Sequence, residues 1–294
     1  MTDTPRITVD DIEFAYLEAG PADGPLALCL HGFPDHAPTW EPLMADLAAA
    51  GYHAVAPWMR GYAPTGLAPD GNYQVAALAL DAVGIADALA GDRDDAVLIG
   101  HDWGAIASYT AVGHRPERFR KLVTLAVPHT GALGAVFLSP VQLQRSFYMF
   151  VFQTPLAEMV VPNDDFAFID YLWSYWSPGY TPDPAFMRAL KDTLAAPGST
   201  EAAIGYYRAM LGTTPPDPAL ADVTAAGFGP TPVPTLYLHG EDDGCMGVEL
   251  ADRALLDALF PAGSDVQVVP GTGHFLHLER PEDVNARILD FLAR

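Results

Sequence analysis

Cysteine and basic residues are scarce in this 294-residue chain, and each scarcity excludes a class of protein. The two cysteines, Cys29 and Cys245, lie in different segments. Because two cysteines do not make a disulfide framework, we interpret both as free thiols in a reducing compartment. Lys and Arg number 15 against 37 Asp and Glu, which gives a net charge of −22. Nucleic acids and anionic membranes require basic surfaces, so we expect neither as a partner.

Long apolar runs are also missing. No stretch approaches the roughly 20 apolar residues that span a bilayer. The N-terminal sequence MTDTPRITVDDIEF is acidic and lacks the basic-then-apolar plan of a signal peptide. We therefore expect a cytoplasmic protein, whose oligomeric state the sequence leaves open. Half of the residues are hydrophobic, which suffices for one large α/β domain or a core domain with an insertion.

Apolar runs typical of buried strands alternate with helical patterns in the first and last parts of the chain. This alternation predicts a mostly parallel sheet covered by helices on both faces. The middle part is rich in aromatic residues at helical spacing and has no strand pattern. We predict an α/β core at 1–128 and 230–294, interrupted by a helical cap at 129–229. The predicted strands are a hairpin at 6–18 and single strands at 26–30, 53–57, 97–99, 122–127, 235–239 and 266–269. The predicted helices include 40–50, 74–89, 141–152, 166–176, 184–194, 200–211, 249–260 and 281–292.

The segment 97–109, VLIGHDWGAIASY, has the pattern of a nucleophile elbow. A short apolar strand leads into Gly-His-Asp-Trp-Gly, and a helical pattern of small residues follows. Glycines on both sides permit the sharp turn that such an elbow needs. The central position usually carries Ser, and here it is Asp102. A carboxylate nucleophile is therefore predicted.

Two further polar turns follow the last two predicted strands. One contains Asp242 and Asp243 in GEDDG, and the other ends at His274 in GTGH. Parallel sheets bind ligands at the carboxyl ends of their strands, so both turns are expected near Asp102. The chain order nucleophile, acid, histidine is the order found in α/β hydrolases.

These motifs resemble those of α/β-hydrolase-fold epoxide hydrolases over essentially the whole chain. The resemblance rests on HGFP at 31–34, GHDWG at 100–104, GEDD at 240–243 and GH at 273–274, and on the cap segments SFYMFVFQ at 146–153 and YYRAM at 206–210. It implies that Tyr148 and Tyr207 activate the epoxide, with Tyr206 as the alternative to Tyr207. It also implies a cis bond before Pro34. The family spacing Gly-x-x-Asp favours Asp243 over Asp242 as the acid.

The chemistry expected of these residues has two steps. Asp102 is ionised at neutral pH and can attack a strained carbon to form an alkyl-enzyme ester. Tyrosine hydroxyls can protonate the departing alkoxide oxygen, which remains attached to the product. His274, oriented by Asp243, would then activate water to hydrolyse the ester. The backbone N–H groups of Phe33 and Trp103 would form the oxyanion hole.

The substrate expected on this reading is a small hydrophobic epoxide, with water as the second reactant. Phe33, Trp103, Tyr148, Phe152 and Tyr207 are the candidate lining residues. No metal motif such as HExxH occurs, and we expect no metal and no other cofactor.

A haloalkane dehalogenase with the same triad is the alternative enzyme, because Trp103 suits a halide site. A non-catalytic ligand-binding protein on the same fold is the second alternative. The particular epoxide and the stereochemistry are not indicated.

Overall fold

The computed structural model describes residues 4–137 and 139–294. An eight-stranded sheet forms its centre, in the order β1-β2-β4-β3-β5-β6-β7-β8. The strands β3 to β8 run parallel, while β2 is antiparallel to both β1 and β4. The strands are β1 (Arg6–Val9), β2 (Ile12–Ala19), β3 (Leu26–Leu30), β4 (His53–Pro57), β5 (Ala96–His101), β6 (Phe119–Leu125), β7 (Thr235–Gly240) and β8 (Asp265–Val269). The predicted hairpin and the mostly parallel sheet are thus confirmed.

Fourteen α-helices accompany the sheet in the described ranges. Eight of them, α4 to α11, lie between β6 and β7, and this stretch contains no strand among its described residues. The helices are α1 (Glu41–Ala49), α2 (Val75–Ala90), α3 (Trp103–His114), α4 (Thr130–Val136), α5 (Pro140–Arg145), α6 (Phe147–Phe152), α7 (Ala157–Val160), α8 (Asn163–Trp176), α9 (Pro184–Ala195), α10 (Ser199–Met210), α11 (Ala221–Ala226), α12 (Arg253–Leu256), α13 (Leu276–Glu279) and α14 (Pro281–Ala293).

Two of the predicted helices are broken in the structure. The segment predicted as one helix at 249–260 forms a 3₁₀ turn, Val248–Ala251, followed by the short helix α12. Asp252 separates them because its backbone is extended and its carboxylate accepts the Ala254 N–H, which starts a new helix. The predicted helix at 141–152 divides at Ser146 into α5 and α6.

The parallel strands form the interior of the molecule. Every residue of β3, β4, β5 and β7 is buried, which explains why these strands appear as continuous apolar runs in the sequence. Within the described residues, no helix is both long enough and apolar enough to cross a bilayer. The carboxyl ends of β5, β7 and β8 point to one edge of the sheet, and the turns described below follow them.

Candidate active site

Asp102 occupies the single residue between the end of β5 and the start of α3. Its φ is +51° and its ψ is −116°, a combination that is sparsely populated for a residue with a side chain. A Cβ at Gly104 would collide with the Leu30 carbonyl, and one at Gly100 would collide with the Gly104 carbonyl. These glycines therefore allow β5, α3 and the neighbouring strand β3 to approach closely enough to form the elbow.

The Asp102 carboxylate is buried, and one of its two oxygens accepts a hydrogen bond. Its Oδ1 accepts a hydrogen bond from the Phe33 N–H at 2.7 Å, and its Oδ2 lies 3.7 Å from His274 Nε2. Burial by itself would raise the pKa of Asp102. The hydrogen bonds and the neighbouring His274 reverse this effect and lower the pKa below its ordinary value. The carboxylate is consequently anionic at neutral pH.

His274 lies between two carboxylates. Its Nδ1 is 2.9 Å from Asp243 Oδ2, and the other Asp243 oxygen accepts the N–H groups of Cys245 at 2.7 Å and Met246 at 2.9 Å. Asp242, the alternative acid, is exposed. Burial opposes the charged imidazolium, but Asp243 and Asp102 outweigh it and raise the pKa of His274. His274 is therefore cationic while both carboxylates are charged.

The turns after β7 and β8 are in direct contact. A Cβ at Gly240 would collide with the Gly273 carbonyl, and this close approach brings Asp243 beside His274. The His274 N–H donates to the Trp176 carbonyl of α8 at 3.0 Å. The helical insertion thus contacts the backbone of the histidine turn.

Tyr148 on α6 and Tyr207 on α10 line the same cavity as Asp102 and Trp103. The cavity measures about 20 Å³. The two tyrosine rings are 5.5 Å apart between centroids, and burial raises the pKa of both hydroxyls well above the ordinary value. Both therefore keep their protons at neutral pH. Among the described residues the Tyr207 hydroxyl has no hydrogen-bond partner, whereas the Tyr148 hydroxyl lies 3.5 Å from Cys245 Sγ.

Tyr206, the alternative to Tyr207, faces a different environment. Its hydroxyl donates to the Arg60 carbonyl at 2.8 Å, and it does not line the cavity that contains Asp102. The two adjacent tyrosines of α10 thus have separate surroundings. Of the two, Tyr207 is the one that lines the cavity together with Asp102.

The other candidate residues take different positions around this cavity. The Trp103 ring lines it and packs edge-on against Tyr207, with centroids 4.9 Å apart. Phe33 contributes its backbone N–H to Asp102, and the peptide bond before Pro34 is cis, as the resemblance implied. Phe152 does not line the cavity; it packs against the rings of Phe33 and Tyr207 at 5.4 and 5.1 Å. In the described chain, the Trp103 N–H makes no hydrogen bond to the carboxylate.

Sequence reasoning missed several lining residues. Cys245 lies in the Asp243 turn and its thiol is buried, with a raised pKa. Its position two residues after the predicted acid was the available signal. The remaining missed residues are apolar, and no motif assigned them a role: Ile106, Val127, Leu133, Phe137, Met149, Met210 and Met246.

A second group of titratable side chains lies buried near His274. Asp35, His101 and His277 bring potential metal-ligand atoms within 4.8 Å of one another. Burial raises the pKa of Asp35 to about 8 and lowers that of His101 to about 3. These groups are therefore mostly uncharged at neutral pH, and a cation here would first require ionisation of Asp35. His277 also shares a 2.7 Å hydrogen bond with Thr39 Oγ1.

Known proteins match this chain in sequence and in fold. The model of the alpha/beta hydrolase family matches residues 27–287, which include the elbow, the acid turn and the histidine. The chain is 31% identical to epoxide hydrolase 3 of Siraitia grosvenorii, covering 92% of each chain. It is 30% identical to human epoxide hydrolase 4 over 98% of this chain and 77% of that protein. The crystal structure of an epoxide hydrolase from Vigna radiata superposes with a TM-score of 0.79 at 26% identity, covering 99% and 97% of the two chains. This chain belongs to the epoxide hydrolase family of α/β hydrolases.

Proposed function

We propose that this protein hydrolyses an epoxide to a vicinal diol through a covalent ester on Asp102. The observation that carries the proposal is a buried carboxylate at the elbow that shares one cavity with two protonated tyrosines and faces a His–Asp pair. An ionised carboxylate needs no general base in order to attack. The tyrosines supply the acid that an opening epoxide needs.

In the first step, the Phe33 N–H already engages Oδ1, so Oδ2 of Asp102 is the attacking atom. Its electron pair forms a bond to an epoxide carbon, and the bond between that carbon and the epoxide oxygen breaks. The oxygen takes a proton from Tyr148 or Tyr207, which leaves a tyrosinate. The product of this step is a hydroxyalkyl ester of Asp102.

Formation of the ester also converts His274 into a base, because it lowers the pKa of the imidazole. Asp102 loses its charge when it becomes an ester, so the pKa of His274 falls. The tyrosinate takes its proton back from the imidazolium, directly or through water. His274 is then neutral, and its Nε2 can accept a proton while Nδ1–H remains bonded to Asp243.

In the second step, water adds to Cγ of Asp102 and its proton passes to His274 Nε2. The oxyanion forms on Oδ1, which the Phe33 N–H already contacts, and the Trp103 N–H is the second proposed donor. The bond from Cγ to Oδ2 then breaks, and the alkoxide takes the proton from His274. The diol leaves, and the second water proton passes from the newly formed carboxylic acid of Asp102 to His274. This transfer restores the carboxylate, with one oxygen derived from water, and the cationic imidazole.

The test uses oxygen-18 to trace the oxygen atoms and measures both diol and bromide as products. A single turnover of styrene oxide by excess enzyme in oxygen-18 water should label the Asp102 carboxylate and leave the first molecule of diol unlabelled. In parallel, 1-bromobutane reports any bromide release. Label that appears directly in the diol would overturn the ester mechanism, and bromide without diol would favour the dehalogenase.

Two variants localise the steps. Asp102→Ala should abolish diol formation while the circular dichroism spectrum is retained. His274→Gln should accumulate the ester as a mass increase equal to that of the substrate. Diol formation by Asp102→Ala at the wild-type rate would reject Asp102 as nucleophile.

A further inference from the structure

A second and much larger chamber adjoins the catalytic cavity. Its volume is about 350 Å³, against about 20 Å³ for the cavity that contains Asp102. Small-molecule sites typically measure about 300–1,000 Å³, so the chamber is of the size of a ligand site. The catalytic cavity alone is far smaller than that range.

The chamber and the catalytic cavity have four lining residues in common. Ile106, Leu133, Phe137 and Met210 line both of them, and all four side chains are apolar. Ile106 is on α3, one helical turn beyond the elbow, and Met210 is on α10, one turn beyond Tyr207. The chamber therefore begins beside the nucleophile and the tyrosine that is proposed to activate the epoxide.

Part of the lining of the chamber is exposed at the protein surface. Leu211, Pro216, Thr224 and Phe228 line it and are exposed, and Phe228 is 59% exposed. Thr110, which is also part of its lining, is buried. The chamber thus connects the protein surface with the neighbourhood of Asp102.

The chemistry of the lining selects the ligand. None of the described lining residues is ionisable. The polar side chains in the interior are already engaged: Gln74 accepts the Asp217 N–H at 3.0 Å, Thr110 donates to the Ile106 carbonyl at 3.3 Å, and Thr130 donates to the Gly227 carbonyl. A charged group placed here would lose its hydration without gaining a partner. An apolar chain would gain from burial.

We propose that this chamber binds the uncharged, apolar arm of the epoxide substrate while the ring lies at Asp102. The inference rests on the proposed function and names its substrate class: an epoxide with one long hydrocarbon arm and no charge. Each methylene moved from water into such a chamber raises affinity by about fourfold. A long arm should therefore improve kcat/KM over a short one.

The experiment compares 1,2-epoxyoctane with 1,2-epoxypropane. Ala209→Trp fills the chamber from a half-buried position that does not line the catalytic cavity. We expect the ratio of kcat/KM for the long epoxide to that for the short one to fall at least tenfold. Ala225→Trp, at an exposed position on α11 outside the lining, is the matched control and should keep the ratio within twofold. Gly134→Leu is the second filling variant, since a Cβ there meets no atom within 4 Å.

A binding measurement separates this inference from the proposed function. Titration calorimetry with nonan-1-ol should give binding to the wild type that is lost in Ala209→Trp, and nonanoate should bind at least tenfold more weakly. If neither epoxide yields diol, the proposed function fails, while the alcohol titration still tests the chamber. Hydrolysis of both epoxides with an unchanged ratio in both filling variants overturns the chamber inference alone. So does equal binding of alcohol and carboxylate.

Discussion

The replacement of Ser by Asp at the elbow changes what its partners must do. A serine hydroxyl needs a neutral histidine before it can attack, whereas Asp102 is already an anion. In the proposed mechanism, His274 remains cationic until the ester has formed, and its Nε2 lies 3.7 Å from Oδ2 of Asp102. The base is then required for the second step and not for the first.

Tyr207→Phe should lower kcat for styrene oxide by about 10- to 100-fold, since one of the two proposed donors to the departing oxygen is lost. Tyr148→Phe should have a similar effect, and the double variant should be nearly inactive. Tyr206→Phe is the matched control, because its hydroxyl bonds the Arg60 carbonyl outside the cavity. Steady-state kinetics measure kcat for the four variants. A larger loss of kcat in Tyr206→Phe than in Tyr207→Phe would contradict the choice of Tyr207 over Tyr206.

Asp243→Asn should lower the pKa of His274, because a buried anion 2.9 Å from Nδ1 is replaced by a neutral amide. In the proposed mechanism, hydrolysis of the ester needs neutral His274, so kcat rises with pH through the pKa that His274 has in the ester, where Asp243 is the remaining anion beside it. The rising limb should therefore shift to lower pH in the variant, with a plateau reduced by about 10²- to 10⁴-fold. Profiles of kcat against pH measure both effects. Asp242→Asn removes an exposed neighbouring charge and is the control; an equal shift in that variant would argue against the assignment.

The sequence located the cavity residues to which a motif assigns a role, and it did not locate most of the apolar ones. Asp102, Asp243 and His274 each occupy a Gly-flanked turn, a local pattern that the chain displays without reference to its fold. Met210 and Phe137 line the catalytic cavity only because helices distant in sequence pack over it. Apolar side chains of this kind look the same in a core and in a pocket, so no pattern distinguished them.

At the scale of elements, the site depends on the close approach of α3 to β3. Gly104→Ala should lower the free energy of unfolding by about 1–3 kcal/mol, because its methyl group would collide with the Leu30 carbonyl and backbone must shift. Gly134→Ala is the matched control in another helix, where a Cβ meets no atom within 4 Å. It should be neutral or stabilising by up to about 1 kcal/mol. Urea unfolding compares them; equal stability in the two variants would disprove the packing argument.

Periodicity predicted elements well where one pattern ran without interruption. The strands β3, β4 and β7 follow apolar runs whose bounds differ from the prediction by at most one residue. The segment at 249–260 failed because its apolar spacing was helical while Asp252 sat inside it. A capping side chain can divide a helix without disturbing the hydrophobic period.

At the scale of the whole molecule, the order of strands and helices was accessible from sequence and their contacts were not. Alternation predicted the parallel sheet and the long helical insertion between β6 and β7. The apolar chamber brings together residues of α4 and α10, such as Gly134 and Ala209, which are far apart in the chain. Long-range packing of this kind leaves no local signal.

The elbow precedes the acid and the histidine by a long stretch of chain that includes all eight helices of the insertion. During synthesis, the carboxylate therefore emerges from the ribosome well before the groups proposed to release its ester. In the proposed mechanism, a chain that ended before β7 would keep Asp102 and both cavity tyrosines but lack Asp243 and His274, so an ester formed on it would not be hydrolysed. Turnover by the proposed mechanism therefore requires the last strands as well as the elbow.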